Sequence, residues 1–185
     1  LGEIDTQGGW ASVAELDANL ADFATINLNG NISTVGFGYI DQIPNLRNQD
    51  DTRGYGINTN VNVGQLLPKK WGVQLPLSYG FAEEFITPKY DPFYQDLKLK
   101  DRLDNSPDQA TKDAIRNQAV SQVQQKSINL VGVRKQRGPD QRKDFFDIEN
   151  FDLSYAYNEE NRSDYEIEDY SYKNLRMGAG YQYGF

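Results

Sequence analysis

The chain has 185 residues, 25% charged and 38% hydrophobic, with a formal net charge of −8 and a mean hydropathy of −0.73. That length suits one domain with a core of its own, and the acidic balance argues against non-specific binding to nucleic acid or to an anionic surface, both of which need a basic face. Cys and His are both absent, which excludes disulfides, thiolate or imidazole metal sites, His-dependent triads and cysteine nucleophiles. No apolar run approaches the roughly 20 residues of a membrane helix. The opening Leu1-Gly2, without Met, reads as a processed product or a piece of something longer. One count fits poorly with an ordinary acidic soluble protein: 12 Tyr and 9 Phe stand beside a single Met.

The hydrophobic period is two, not 3.6. Ala14, Leu16, Ala18 and Leu20 alternate with Glu15, Asp17 and Asn19. After a break at 21–23, Ala24, Ile26, Leu28, Gly30 and Ile32 alternate with Thr25, Asn27, Asn29 and Asn31. Strict alternation over such lengths predicts half-buried strands. A third run sets Tyr55, Ile57, Thr59, Val61 and Val63 against Gly56, Asn58, Asn60 and Asn62. A fourth sets Trp71, Val73, Leu75, Leu77, Tyr79 and Phe81 against Gly72, Gln74, Pro76, Ser78 and Gly80. Pro76 cannot donate to a ladder and predicts an edge, bulge or bend.

Residues 84–125 break the alternation. Thr87-Pro88-Lys89-Tyr90-Asp91-Pro92 is turn chemistry, and Ser106-Pro107-Asp108-Gln109 reads as a helix start with Ser106 as N-cap. A short helix over 110–125 with a weak stripe at Ile115, Ala119 and Val123 is expected. Alternation resumes at Ser127 to Val133. The basic stretch 134–143 reads as a solvated loop, with a phosphate or lipid-headgroup contact as the sharper reading. Two further strands carry Phe151, Leu153, Tyr155 and Tyr157, then Leu175, Met177, Ala179, Tyr181, Tyr183 and Phe185. The acidic, Tyr-rich span between them is either an extension of that hairpin or a loop. The domain division is 1–83 strands and hairpins, 84–125 a partly helical loop insertion, and 126–185 strands.

A soluble sandwich and a membrane barrel share this alternation but differ in which side is apolar. Three details favour the barrel. The strands are long enough for the roughly nine to eleven residues of a tilted membrane strand. The polar faces carry Gly, Asn, Ser and Gln rather than Lys and Glu. Aromatics fall toward strand ends, where interfacial girdles sit. The connections also look short on one side (21–23, 67–71) and long on the other (34–53, 83–125, 135–148), a barrel habit. The fold expected is therefore all-β: an antiparallel transmembrane β-barrel section of about seven to eight strands, with long loops and one short helical insertion. Val61, Val63, Val73, Leu75, Leu77, Leu153, Tyr155, Met177 and Tyr181 are assigned to the lipid face. Asn58, Asn60, Asn62, Ser78, Ser154 and Gln182 are assigned to the lumen. Trp10, Tyr55, Trp71, Phe81, Phe151 and Phe185 are assigned to the interfacial girdle. Phe85, Tyr90, Phe93 and Tyr94, in the insertion, suit a partner-docking or gating surface.

Other motifs carry little chemistry. The carboxylate pairs Asp50-Asp51, Glu83-Glu84 and Glu159-Glu160 point to opposite faces of a strand and make no acid/base couple. Asp140, Asp144 and Asp147 lack the EF-hand ligand pattern. Gly36-Phe37-Gly38 and Gly178-Ala179-Gly180 lack the strand-to-helix context of phosphate loops. Asn31-Ile32-Ser33 and Asn161-Arg162-Ser163 match glycosylation sequons by length alone. No catalytic, cofactor-binding or metal residues are assigned.

Several ordered stretches carry a resemblance: Leu1-Gly2-Glu3-Ile4-Asp5-Thr6-Gln7-Gly8-Gly9-Trp10, Leu66-Leu67-Pro68-Lys69-Lys70-Trp71-Gly72-Val73, Pro88-Lys89-Tyr90-Asp91-Pro92, Asp96-Leu97-Lys98-Leu99-Lys100-Asp101, Lys126-Ser127-Ile128-Asn129-Leu130 and Asp147-Ile148-Glu149-Asn150-Phe151. Together they resemble the SprA/Sov family, very large outer-membrane translocon subunits of the type IX secretion system in Bacteroidota. The resemblance implies a non-enzymatic segment of a protein-conducting barrel that passes folded cargo to the cell surface and is linked to gliding motility. Its implied partners are outer-membrane lipid, other secretion-system subunits, secreted cargo and the rest of the parent barrel; it implies no cofactor. The alternative from the residues is a soluble or surface-exposed β-domain acting as an adhesin or carbohydrate-binding module.

Overall fold

The computed structural model describes residues 8–38 and 47–183. They form β1 (Ala11–Leu20), β2 (Ala24–Ser33), β3 (Asp50–Asn62), β4 (Val73–Gln74), β5 (Pro76–Pro88), α1 (Leu99–Asp104), α2 (Gln109–Ala119), β6 (Ser121–Lys135), β7 (Phe151–Ser163) and β8 (Tyr170–Tyr181). Seven of the eight strands make one antiparallel meander in the order β1-β2-β3-β5-β6-β7-β8, and β4, off that path, pairs with β6. The sheet is not closed on itself, and β1 and β8 are its edges.

The alternating runs became strands, with informative exceptions. Val63 was assigned to a strand face, but β3 stops at Asn62 and Val63–Leu66 is a 3₁₀ turn. The expected strand from Trp71 to Phe81 is divided. Trp71 ends a second 3₁₀ turn, Gly72 takes φ 60°, Val73 lies in the two-residue β4, and Leu75 sits in the break before Pro76. The missing N–H of Pro76 accounts for the break, since a proline inside a strand removes a ladder donor and the first position of a strand accommodates it. Gln182 lies just past β8, where its N–H donates to the Asn150 carbonyl at 2.8 Å.

The sheet also reaches further into the central interval than the alternation indicates. β5 runs to Pro88 and β6 starts at Ser121, so the connection is 89–120 rather than 84–125. Glu83 to Ile86 find partners in Gln124 to Ser121. Both faces are largely polar there, so no period-two stripe marks the strands. The Tyr-rich span likewise extends a hairpin, with β7 and β8 joined by a turn at 164–169.

Long and short connections do not segregate. The turn at 21–23 shares its end of the sheet with 63–75 and with the long loop 136–150, while the end of β2 at Ser33, the start of β3 at Asp50, and the connections 89–120 and 164–169 lie at the other end. The expectation of short turns on one side and long loops on the other is corrected by this alternation of hairpin ends.

The helix is capped by Asp108, not Ser106. The Asp108 carboxylate accepts from Thr111 N–H at 2.7 Å, whereas Ser106 Oγ turns back to donate to the Arg102 carbonyl at 2.8 Å. The carboxylate satisfies an otherwise orphaned N–H and favours the positive end of the helix. The helix ends at Ala119, because Val120 turns extended and Ser121 joins the ladder opposite Ile86.

Burial is concentrated away from the sheet. Among the described residues, the buried hydrophobic side chains are Leu99, Ile115 and Ala119 in the insertion and Ala24 in the sheet. Leu103 packs against the helical three. The insertion therefore has a small core of its own, and the apolar face of the sheet has no covering layer.

Candidate functional site

Register partners share a face, so the ladder defines rows across the whole sheet. One row runs Leu20, Ala24, Val61, Leu77, Leu130, Tyr155 and Met177. The opposite face carries Asn19, Thr25, Asn60, Ser78, Asn129, Ala156 and Arg176 in one row, and Asp17, Asn27, Asn58, Gly80, Ser127, Asn158 and Asn174 in the next. Each strand thus contributes alternate residues to one apolar and one polar surface.

The apolar band crosses the ladder obliquely. The row beginning Leu16, Leu28, Ile57 and Phe81 continues as Lys126, Glu159 and Lys173. Lys173 Nζ lies 3.7 Å from Glu159 Oε1. At the other end the band advances instead, through the pairs Leu153–Ala179 and Phe151–Tyr181. It slips by about one residue per strand, the stagger of strands inclined to a belt as in a barrel. The belt is bare: Leu16 is 60% exposed, Leu153 54% and Met177 72%.

The polar face is built from short side chains that bond to one another. Asn27 Nδ2 donates to Asp17 at 2.7 Å and to Glu15 at 3.1 Å; Ser78 Oγ donates to Asn60 Oδ1 at 2.7 Å. Glycine leaves room where these side chains lie across a neighbour, which would otherwise have to turn aside. A Cβ on Gly80 would stand 2.6 Å from Ser127 Oγ and 3.1 Å from Asn58 Oδ1. The surface is low and polar, with few protruding charges in its central rows.

At one end of the sheet the insertion is fixed by a buried ion pair. Asp91 is fully buried, paired with Arg102, and accepts N–H bonds from Phe93 at 2.8 Å and Tyr94 at 3.2 Å. Burial pushes its carboxyl pKa up, but the Arg102 hydrogen bond and charge and the two N–H donors outweigh burial and hold it below the ordinary value. This centre leaves Phe93 and Tyr94 exposed, with Tyr94 stacked 4.9 Å from the Arg102 guanidinium. Tyr90 bridges to Lys98, and Phe85 lies within β5 opposite Gln122. Phe85 and Phe93 line a cavity of about 840 Å³ between the insertion and the 164–169 turn. Asp91 and Arg102 were missed in sequence, although Asp91 stands inside the turn motif noted there.

At the opposite end, the basic stretch runs off β6 into an exposed loop, as expected, and two of its cations are paired. Lys135 pairs with Glu149 at 2.8 Å and Arg137 with Asp147 at 2.9 Å. Buried Asn150 donates to the carbonyls of Asp144 at 2.8 Å and Phe145 at 3.1 Å. Among the described residues, no three acidic side chains are placed to hold a metal.

A protein-family model for the SprA N-terminal region, described as motility related/secretion protein, matches residues 1–103, more than half of the chain. The chain belongs to this SprA family. No curated protein matches it. The matched part spans β1 to β5 and reaches into α1, so the family likeness covers both surfaces of the sheet and the Asp91–Arg102 pair.

The predicted residues of this SprA-family segment divide as follows. Val61, Leu77, Leu153, Tyr155, Met177 and Tyr181 share the apolar face, with Asn58, Asn60, Asn62, Ser78 and Ser154 on the other. Tyr55 and Phe81 stand at the border of the apolar band, within their strands rather than at the ends, with ring centroids 6.1 Å apart. Phe151 opens β7 and packs on Tyr181 at 5.0 Å. Trp10 immediately precedes β1, and Phe185 lies outside the described residues.

Proposed function

We propose that this segment is an arc of an outer-membrane, protein-conducting β-barrel of a type IX secretion translocon, non-enzymatic and linked to gliding motility. The observation that carries the reading is the bare apolar belt running obliquely across an open sheet. In water, an uncovered apolar face of this extent demands a second layer. In a bilayer it needs none, provided further strands close the edges and satisfy their backbone groups.

On this reading the belt faces lipid and the Asn, Gly and Ser surface faces the lumen. Folded cargo slides past hydrated amides and hydroxyls that offer few apolar contacts. The helical insertion stands at one mouth, where its exposed aromatics contact a gating subunit or cargo. The motility/secretion family supports this role.

The test is cysteine accessibility in the full-length protein in cells. Single cysteines at Asn60 and Ser78 should react with a water-soluble maleimide, while those at Val61, Leu77 and Met177 should react only with a lipid-soluble one. Equal labelling of both faces by the water-soluble reagent would overturn the assignment and favour a soluble β-domain.

A further inference from the structure

β6 carries a bulge that opens the apolar belt. Its pairing with β7 shifts between Leu130 and Val133, and Gly132 takes φ 73°, a left-handed conformation that suits glycine. Immediately alongside, β5 begins at Pro76 and leaves Leu75 outside the ladder. The two interruptions coincide and leave a cleft of about 680 Å³, walled by Leu75, Leu130, Val133, Leu153, Met177 and Ala179. The volume accommodates a single acyl chain, and the walls present almost nothing polar.

The cleft points along β6 toward a cationic end. After the bulge Val133 faces Leu153, so Val133 and Lys135 return to the apolar side. Lys135 keeps ammonium donors beyond its bond to Glu149. β4 places Val73 opposite Lys135, and Gln136 N–H donates to the Gly72 carbonyl at 2.6 Å. That contact fixes the 3₁₀ turn that carries Lys69, Lys70 and the exposed Trp71 beside the end of β6, next in sequence to the cleft wall at Leu75. Lys69 and Lys70 have no acidic partner among the described residues, and the 63–75 connection contains no Asp or Glu.

We propose that this cleft is a binding site for one anionic phospholipid, with an acyl chain under the β6 bulge and the phosphate held by Lys69, Lys70 and Lys135. The inference rests on the membrane reading above. Bulk lipid solvates an apolar wall without selectivity; the cationic mouth supplies the discrimination, because each lysine near an anionic headgroup adds attraction equivalent to about a fivefold preference. Trp71 would sit at headgroup depth, where indole is favoured.

The experiment uses the full-length protein in nanodiscs of phosphatidylcholine containing a minority of phosphatidylglycerol. Lipid retained after mild detergent release is counted by native mass spectrometry. Phosphatidylglycerol should be retained in preference, at one molecule per protein above a control. That control is Met177→Trp, which fills the cleft. The double variant Lys69→Gln/Lys70→Gln should lose the headgroup preference, by about fivefold per lysine removed, and still assemble. Leu28→Trp, on the same face but remote from the cleft, should behave as wild type. Equal retention of both lipids, or unchanged retention in Met177→Trp and in the lysine variant, overturns the site while the barrel stands. Failure to enter nanodiscs at all overturns both readings.

Discussion

Phe81 and Lys126 are direct register partners on one face of the sheet, with the ammonium 6.0 Å from the ring centroid. On the β3 side Phe81 faces Ile57; beyond Lys126 the row becomes Glu159 and Lys173. The border of the apolar band therefore passes between two adjacent strands at this point. A band that changes polarity along a row, rather than along a strand, measures the inclination of the strands to it.

That border predicts which positions tolerate charge. Leu77→Arg should cost about 2–4 kcal/mol of membrane assembly if it lies near the midplane. Leu28→Arg, central to the band on β2, should cost a similar amount. Glu159→Gln, in the same row as Leu28 but between Lys126 and Lys173, should be tolerated, as should Asn60→Arg on the other face. The measurement is heat-modifiable folding and secretion by the full-length protein. Equal effects at Leu28 and Glu159 would remove the oblique band.

The insertion should depend on Asp91 and Arg102 separately from the sheet. Arg102→Met leaves a fully buried carboxylate without its cation and should cost about 3–5 kcal/mol locally. Hydrogen exchange across 89–120 should rise, with the β5–β6 ladder unchanged. The double variant Asp91→Leu/Arg102→Met should recover only part of this, because the N–H groups of Phe93 and Tyr94 lose their acceptor.

Acid should open the same element. The Asp91 carboxyl titrates below its unfolded value, so its stabilisation is complete above that value, near pH 4, and is lost as pH falls through the folded pKa. Asp108, held low by the Thr111 N–H at the start of α2, acts in the same direction. With no histidine in the chain, exchange rates of the insertion, corrected for intrinsic chemistry, should be flat between about pH 5 and 8 and increase below about pH 4. A transition near pH 6 would contradict this account.

The cap offers a sharper local test. Asp108→Ala should destabilise α2 by about 1 kcal/mol, seen as faster exchange of the Thr111 amide. Ser106→Ala should do less, because its hydroxyl bonds back to α1. Local sequence pointed to Ser106, the serine followed by proline. The contact of Ser106 with the Arg102 carbonyl decided otherwise.

Much of the site was legible where one residue's direction depends only on its strand parity. Asn58, Asn60 and Ser78 could be separated from Val61 and Leu77 because alternate side chains leave opposite faces. The same logic ran the strands on through Val63 and Leu75, which lie outside the ladder, since alternation continues through a turn as readily as through a strand. It stopped too early at Glu83 to Ile86 and Ser121 to Gln125, where neither face is apolar. Asp91 and Arg102 were invisible because their meeting depends on how the turn and α1 fold together. The bulge at Gly132 was hidden by a run, Leu130-Val131-Gly132-Val133, that reads as strand either way.

By itself the sequence determined the strands, their two chemically opposite faces and the presence of a helix between them, because backbone periodicity is local. Register was decided only in the folded sheet. Pairing across connections as long as 89–120 fixes which residues stand side by side, and no local preference encodes that offset. A slip at each hairpin turned separate apolar stripes into one oblique belt, and the bulge at Gly132 together with the break at Pro76 opened the cleft within it.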